Sequence, residues 1–159
     1  MYARDHAILA TPIGAVRVEG DDSRLLSLRI EAEGVPVTGA GQAVRAATEQ
    51  LEQWFAGERQ SFDLPLYPAA TPRGETLRAG LVAVGYGETL SYGELARRLG
   101  SGARAIGQLC ARNPFPIIVP CHRILGSGGT LGSYSAGDGP RTKAWLLDHE
   151  RRMAGRSLL

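Results

Sequence analysis

The sequence predicts an α+β protein in two parts. A small N-terminal αβ domain with an antiparallel sheet spans residues 1–67. A mostly helical C-terminal domain spans 68–159 and holds a helix-turn-helix and a Pro-Cys-His-Arg motif. Three observations predict this. Short apolar runs broken by turn residues recur between residues 7 and 30, the pattern of hairpin strands. From residue 74 onward, apolar residues fall mainly at three- and four-residue spacing, the pattern of helices. Between the two patterns lies Leu64-Pro65-Leu66-Tyr67-Pro68, which reads as a linker.

The chain's 159 residues allow one large domain or two small ones, and 43% hydrophobic residues suffice for a core. No run approaches the roughly 20 apolar residues of a membrane span, so no membrane partner is expected. Met1 to His6 opens no basic and then apolar leader, so no secretory signal is expected. Two cysteines, Cys110 and Cys121, make no disulfide framework, and a free thiol suits a reducing cytoplasm. The net charge of +2 is unevenly shared. Residues 1–67 carry −4 (six Arg against ten acids) and residues 68–159 carry +6 (twelve Lys and Arg against six acids). A basic C-terminal half fits a polyanionic partner, although charge also scatters by chance.

In chain order, Ala7–Ala10 and Ala15–Val18 read as strands around the turn Thr11-Pro12-Ile13-Gly14. After Asp21-Asp22-Ser23, the residues Leu25, Leu26, Leu28 and Ile30 make a third strand. Gly34–Gly41 is a loop. Val44, Ala47, Leu51 and Trp54/Phe55 predict a helix over 42–56 with Gly57 as its stop, and both aromatics read as core. Phe62-Asp63-Leu64 is a candidate short strand. In the second part, Leu77, Leu81 and Val84 predict a helix over 74–84. Ser91-Tyr92-Gly93-Glu94 has the form of a capping box, and the helix it opens stops at Gly100. A second helix, Ala103–Ala111, follows the Ser101-Gly102 turn, completing a helix-turn-helix pattern. Its residues Ala103, Gly107 and Ala111 recur every fourth position, with Arg104 beside the first. Small residues with one arginine fit shape-based binding in a minor groove, or close packing on another helix. Cys110 reads as core. Gly126–Gly129 reads as a hairpin turn, Leu131–Gly139 as a Gly/Ser-rich loop around Tyr134, and 141–152 as a last helix with Ala144, Leu146 and Leu147 apolar.

The chemistry gathers at Pro116-Ile117-Ile118-Val119-Pro120-Cys121-His122-Arg123-Ile124-Leu125. A β-branched run reads as a buried strand that ends at Pro120 and delivers a thiol at a turn. A cysteine closing an apolar run is more often packing than chemistry. Packing, however, does not call for an imidazole and a guanidinium next to it. A free thiol has a pKa of about 8.5, and such neighbours raise its thiolate fraction. Cys121 is thus a candidate nucleophile, His122 a candidate base, and Glu150, on a separate helix, a candidate orienter. Adjacent strand residues face opposite ways, so His122 reaches the sulfur only through a turn at Cys121 or a bridging water.

The Pro-Cys-His-Arg string with its Ile-Ile-Val and Ile-Leu flanks resembles the active-site motif of the O6-alkylguanine-DNA alkyltransferases, also called methylated-DNA–protein-cysteine methyltransferases. The resemblance is strong over the C-terminal half and weak over the N-terminal half. It implies direct DNA repair. On this resemblance Cys121 would attack the alkyl carbon on O6 of guanine (and on O4 of alkylated thymine) and keep the group, so each molecule would act once. It implies that His122 takes the thiol proton through a water and that Glu150 orients His122. Tyr92 would donate to guanine N3, and Ser135, beside Tyr134, would offer its N–H to O6. The carbonyls of Cys121 and Ile124 would accept from the exocyclic amine. Asn113 would brace the site, and Lys143 matches a family lysine of less settled role. Arg104 would fill the gap left by a flipped nucleotide. Ala103, Gly107, Pro116 and Arg123 join the expected substrate- and DNA-binding set. The implied partner is double-stranded DNA carrying O6-alkylguanine, bound by a monomer, with a ribonuclease-H-like N-terminal support domain. No cofactor is implied, and the zinc site of some vertebrate members needs more cysteines than this chain has, so no metal is expected.

The pattern departs from the family at three places. Thr71–Leu77 stands where an aromatic and a Val-Trp pair are usual, Ala136 replaces a common glycine, and 138–141 is slightly long. Two other readings compete: a turning-over thiol hydrolase or acyltransferase built on Cys121, His122 and Glu150, and a non-catalytic lesion-binding module.

Overall fold

The computed structural model describes residues 4–157; Met1–Ala3, part of the stretch expected to hold no leader, and Leu158–Leu159 lie outside the described residues. The chain divides into two compact units, Met1–Tyr67 and Pro68–Leu159.

The first unit is a three-stranded antiparallel sheet in the order β1 (Asp5–Thr11), β2 (Gly14–Gly20), β3 (Leu25–Glu31), covered by helix α1 (Gln42–Phe55). Strand alternation buries Val16 and Val18 of β2, and the helical repeat buries Val44, Ala47, Leu51 and Trp54 against them. Between β1 and β2, Gly14 sits at φ 111, and a Cβ there would run into the Glu31 carbonyl, so the turn requires glycine. The N-cap of α1, Gly41, has no side chain to offer. Two distant carboxylates replace it. Asp5 accepts from the Ala40 and Gly41 N–H groups, and Asp22 accepts from Gln42 N–H. Phe62-Asp63-Leu64 is not a strand. Instead Leu66 makes a single bridge to Leu25, because the flanking Pro65 and Pro68 have no N–H with which to extend a ladder.

The second unit is mostly helical. Helix α2 (Pro72–Val82) starts two residues before the position read from sequence: Thr71 caps it by accepting from Gly74 N–H, and Pro72 takes the first turn. A two-residue strand β4 (Leu90–Ser91) runs into α3 (Tyr92–Arg98), whose capping box is complete: Ser91 accepts from Glu94 N–H, and the Glu94 carboxylate accepts from Ser91 N–H. Gly100 turns the chain at φ 62 into α4 (Ala103–Ala111). Strand β5 (Ile124–Leu125) pairs parallel with β4, and α5 (Pro140–Ser157) closes the unit. Leu81, Leu95, Ile106, Phe115, Ile117, Ile124 and Leu146 form the core.

Three expectations need correction here. Ile117-Ile118-Val119 is not a strand but a buried turn. Pro114, Pro116 and Pro120 remove N–H donors on both sides of the run, so no ladder can extend through it. Gly126–Gly129 is a tight turn with Gly128 at φ 71 rather than a hairpin, since β5 pairs with β4 and, among the described residues, with no strand after it. The last helix extends beyond 152 to Ser157, and Ala144 lies exposed while Lys143, Leu146, Leu147 and Glu150 form the buried stripe.

Candidate active site

The site begins where α4 ends. Asn113 follows the C-cap and ties the next eight residues to itself. Its Oδ1 accepts from Phe115 N–H at 2.9 Å, and its Nδ2 donates to the Val119 carbonyl at 2.9 Å and to Cys121 Sγ at 3.3 Å. Ile117 is held at φ 75, a strained conformation for a β-branched residue that costs on the order of 1–3 kcal/mol. Complete burial of its side chain and of Phe115 and Val119 offsets that strain.

Cys121–Arg123 then form one 3₁₀ turn, closed by Arg123 N–H to the Pro120 carbonyl and by Ile124 N–H to the Cys121 carbonyl. The chain therefore turns at Cys121. It points three consecutive side chains without the strict alternation of a strand.

Glu150 lies behind the turn, fully buried on α5. Its Oε2 is 2.7 Å from His122 Nε2 and accepts from Arg123 Nη2 at 2.8 Å, while Oε1 accepts from Arg123 Nε at 3.0 Å and from Gly87 N–H at 3.1 Å. Arg123 Nη1 donates to the Val84 carbonyl at 2.6 Å. Burial alone would push the Glu150 carboxyl up, but the His122 and Arg123 partners outweigh it and hold it at about 2. Burial lowers the His122 imidazole below its ordinary value, against the pull of Glu150, so the ring is a neutral base at pH 7. The Cys121 thiol is raised well above the ordinary thiol value by its interaction with Cys110 and then by burial. A standing thiolate is therefore absent at rest, and any nucleophilic use of this sulfur would call for a base.

Cys121 opens on a cavity of about 130 Å³. Tyr92, the first residue of α3, forms one wall; it is placed there because β4 pairs with β5 directly after the Cys121 turn. Gly107, Cys110 and Ala111 of α4 form a second wall, and Ser133, Tyr134 and Ser135 of the loop before α5 form the third. Lys143, fully buried, holds that loop to β5: its Nζ donates to the Ile124 carbonyl at 2.6 Å and to the Ser133 carbonyl at 3.3 Å. The Tyr134 hydroxyl is buried with no hydrogen-bond partner among the described residues, and burial raises its pKa.

The expected residues thus fall into three groups. Cys121, Tyr92, Gly107, Tyr134 and Ser135 line one cavity. Asn113, His122, Glu150 and Lys143 stand behind it, each bonded to a group that shapes it. Ala103 and Arg104 are exposed on α4, and Pro116 is buried away from the cavity lining. Arg123 requires a correction. Grouped by sequence with the DNA-binding residues, it is 6% exposed, and its guanidinium turns inward, with Nε and Nη2 on Glu150 and Nη1 on the Val84 carbonyl. Cys110, read as core, is also corrected: it is half-buried on the cavity wall. Its position three residues after Gly107 put it on the same helical face, a signal present in the sequence. Ser133 and the backbone of Val84 and Gly87 gave no such signal. A methyl group placed on Gly107 would meet nothing within 4 Å, so this small residue opens space rather than seating another helix.

Comparison with known proteins gives one family. Residues 75–152 match the family described as 6-O-methylguanine DNA methyltransferase, DNA binding domain. A methylated-DNA–protein-cysteine methyltransferase of Methanosarcina acetivorans is 38% identical over 141 residues, covering 83% of this chain and 90% of the relative. The constitutive methylated-DNA–protein-cysteine methyltransferase of Bacillus subtilis is 36% identical over 152 residues, covering 89% and 92%. Among solved structures, Mycobacterium tuberculosis OGT in complex with DNA aligns with a TM-score of 0.80 and 37% identity over 93% of both chains.

Proposed function

This chain belongs to the methylated-DNA–protein-cysteine methyltransferase family, and we propose that Cys121 is its alkyl acceptor in a single, irreversible transfer from O6-alkylguanine in duplex DNA. The observation that carries this reading is a thiol on the wall of a 130 Å³ cavity with a buried His122–Glu150 pair on the next residue. Sulfur attacks the alkyl carbon, the C–S bond forms, and the C–O6 bond breaks with its electron pair going to guanine. His122 Nδ1 takes the thiol proton through a water. Glu150, already bonded to Nε2, stabilises the imidazolium that results. Tyr92 returns a proton at N3, so guanine leaves neutral. The Ser135 N–H meets O6, and the Cys121 and Ile124 carbonyls receive the exocyclic amine. Lys143 occupies one lone pair of the Ile124 carbonyl, and the second serves the base.

The product is a thioether, which no group near Cys121 can cleave, so each molecule acts once. A buried acceptor cannot reach a base stacked in a duplex. The nucleotide swings out at a cost of a few kcal/mol, less for a lesion that pairs poorly. Arg104, exposed on α4 beside the small residues Ala103 and Gly107, fills the gap. The same displacement suits O4 of an alkylated thymine. On this reading 68–159 carries DNA binding and transfer, 1–67 supports it, and the protein acts as a monomer in a reducing compartment that holds DNA. Cys121→Ala tests the assignment. Binding to duplex DNA carrying O6-methylguanine should persist while methyl transfer vanishes; transfer that survives the substitution places the acceptor elsewhere. A thiol hydrolase would instead turn over on an ester substrate and leave Cys121 unmodified.

A further inference from the structure

The cavity holds a second sulfur that the transfer reaction does not use. Cys110 and Cys121 both line it, one from α4 and one from the 3₁₀ turn, and the cavity they share is only about 130 Å³. Their exposures differ: Cys110 is half-buried, and Cys121 is 3% exposed. Open space beyond Gly107, one helical turn before Cys110, leaves a small molecule an approach along α4.

We propose that Cys110 is a modification site: a hydroperoxide converts the Cys110–Cys121 pair into a reversible disulfide that withholds the acceptor sulfur. The bond changes balance without any further reagent. The Cys110 sulfur attacks the outer oxygen of the hydroperoxide, the O–O bond breaks, and the alkoxide or hydroxide leaves with the thiol proton. Cys110 is now a sulfenic acid. The Cys121 sulfur attacks it, the S–S bond forms, the S–O bond breaks, and hydroxide leaves as water with the Cys121 proton. Two thiols are oxidised by two electrons and one peroxide is reduced. A dithiol reverses the bond by exchange. The order follows from the placement of the pair. Cys110 is half-buried beside the open space at Gly107, whereas Cys121 is 3% exposed and is held from behind by the Asn113 side chain. Peroxide therefore meets the more exposed sulfur first.

Formation of the disulfide is independent of the transfer reaction; its consequence for repair rests on the reading of Cys121 as acceptor. The full-length protein is treated with hydrogen peroxide, denatured in iodoacetamide and weighed, and a second portion is assayed for methyl transfer before and after dithiothreitol. The proposal predicts a product two hydrogen atoms lighter that takes up no alkyl group, a single peptide pair linked through Cys110 and Cys121, and transfer that falls by about tenfold or more and returns with dithiothreitol. In Cys110→Ser, peroxide meets only the buried Cys121, so transfer should fall several-fold more slowly than in the wild type. Wild-type protein that still takes up two alkyl groups, or gains only oxygen atoms, overturns the proposal, as does an equally fast loss in Cys110→Ser. If the disulfide forms and transfer continues undiminished, the modification stands and the assignment of Cys121 as acceptor fails.

Discussion

Glu150 carries more of this site than any other single side chain. One buried carboxylate orients His122, neutralises Arg123 and accepts from the Gly87 backbone. Glu150→Gln keeps the size but leaves the Arg123 charge buried without its counter-ion. The expected cost is about 3–5 kcal/mol of stability in denaturant unfolding, with a loss of transfer in whatever folded protein remains. A change below about 1 kcal/mol would mean that the pairing contributes little. The thiol, the imidazole and the carboxylate were all legible in the sequence, since the Pro-Cys-His-Arg string is specific and its partner lies on a separate helix. Arg123 was not. Its sign suggested a phosphate, and only the turn at Cys121 shows that the guanidinium points inward to Val84 and Glu150. Lys143 was equally opaque, because a buried ammonium that binds two carbonyls looks in sequence like any surface lysine.

The elements were readable to the extent that they carry their own punctuation. The capping box at Ser91 and the stop at Gly100 announce α3, and the 3.6 period announces α1 and α4. Ile117-Ile118-Val119 has the composition of a strand, but three prolines deny it a ladder and the Asn113 side chain holds it as a turn. In α5 the positions 143, 146, 147 and 150 form one stripe at helical spacing, so a single element delivers both Lys143 and Glu150 to the site. The exposed start of α4 makes a prediction of its own. On the proposed reading, Arg104→Ala should slow repair of O6-methylguanine in duplex DNA by about tenfold, since an extruded nucleotide would lose the group that fills its place, while reaction with free O6-benzylguanine stays within about twofold. Equal losses on both substrates would remove Arg104 from any role in extrusion.

At the scale of the whole molecule, the division after Tyr67 coincides with the proline-rich segment and with the change from an acidic to a basic half. The caps of α1 by Asp5 and Asp22 were illegible because each partner lies about twenty residues or more away in sequence. Acid stability follows from the buried groups. Glu150 sits at about 2 when folded against an ordinary 4.5, so its stabilisation is complete above pH 4.5 and is lost as pH falls toward 2, a difference of about 3 kcal/mol. His122 acts in the same direction: held neutral when folded, it binds a proton in the unfolded chain as pH falls below its ordinary 6.5, which favours unfolding. Denaturant midpoints should therefore decline from pH 7 to pH 4 and more steeply below, and a flat profile over that range would contradict the buried pairing.

The central claim is that one sulfur accepts one alkyl group and keeps it. The most direct measurement titrates the protein with excess duplex DNA carrying O6-methylguanine, then weighs the intact chain, locates the modification and counts the guanines repaired. The account predicts a plateau at one methyl group per protein, all of it on Cys121, with an equal number of guanines restored. More than one guanine repaired per protein, or a methyl group carried on any other residue, would contradict it.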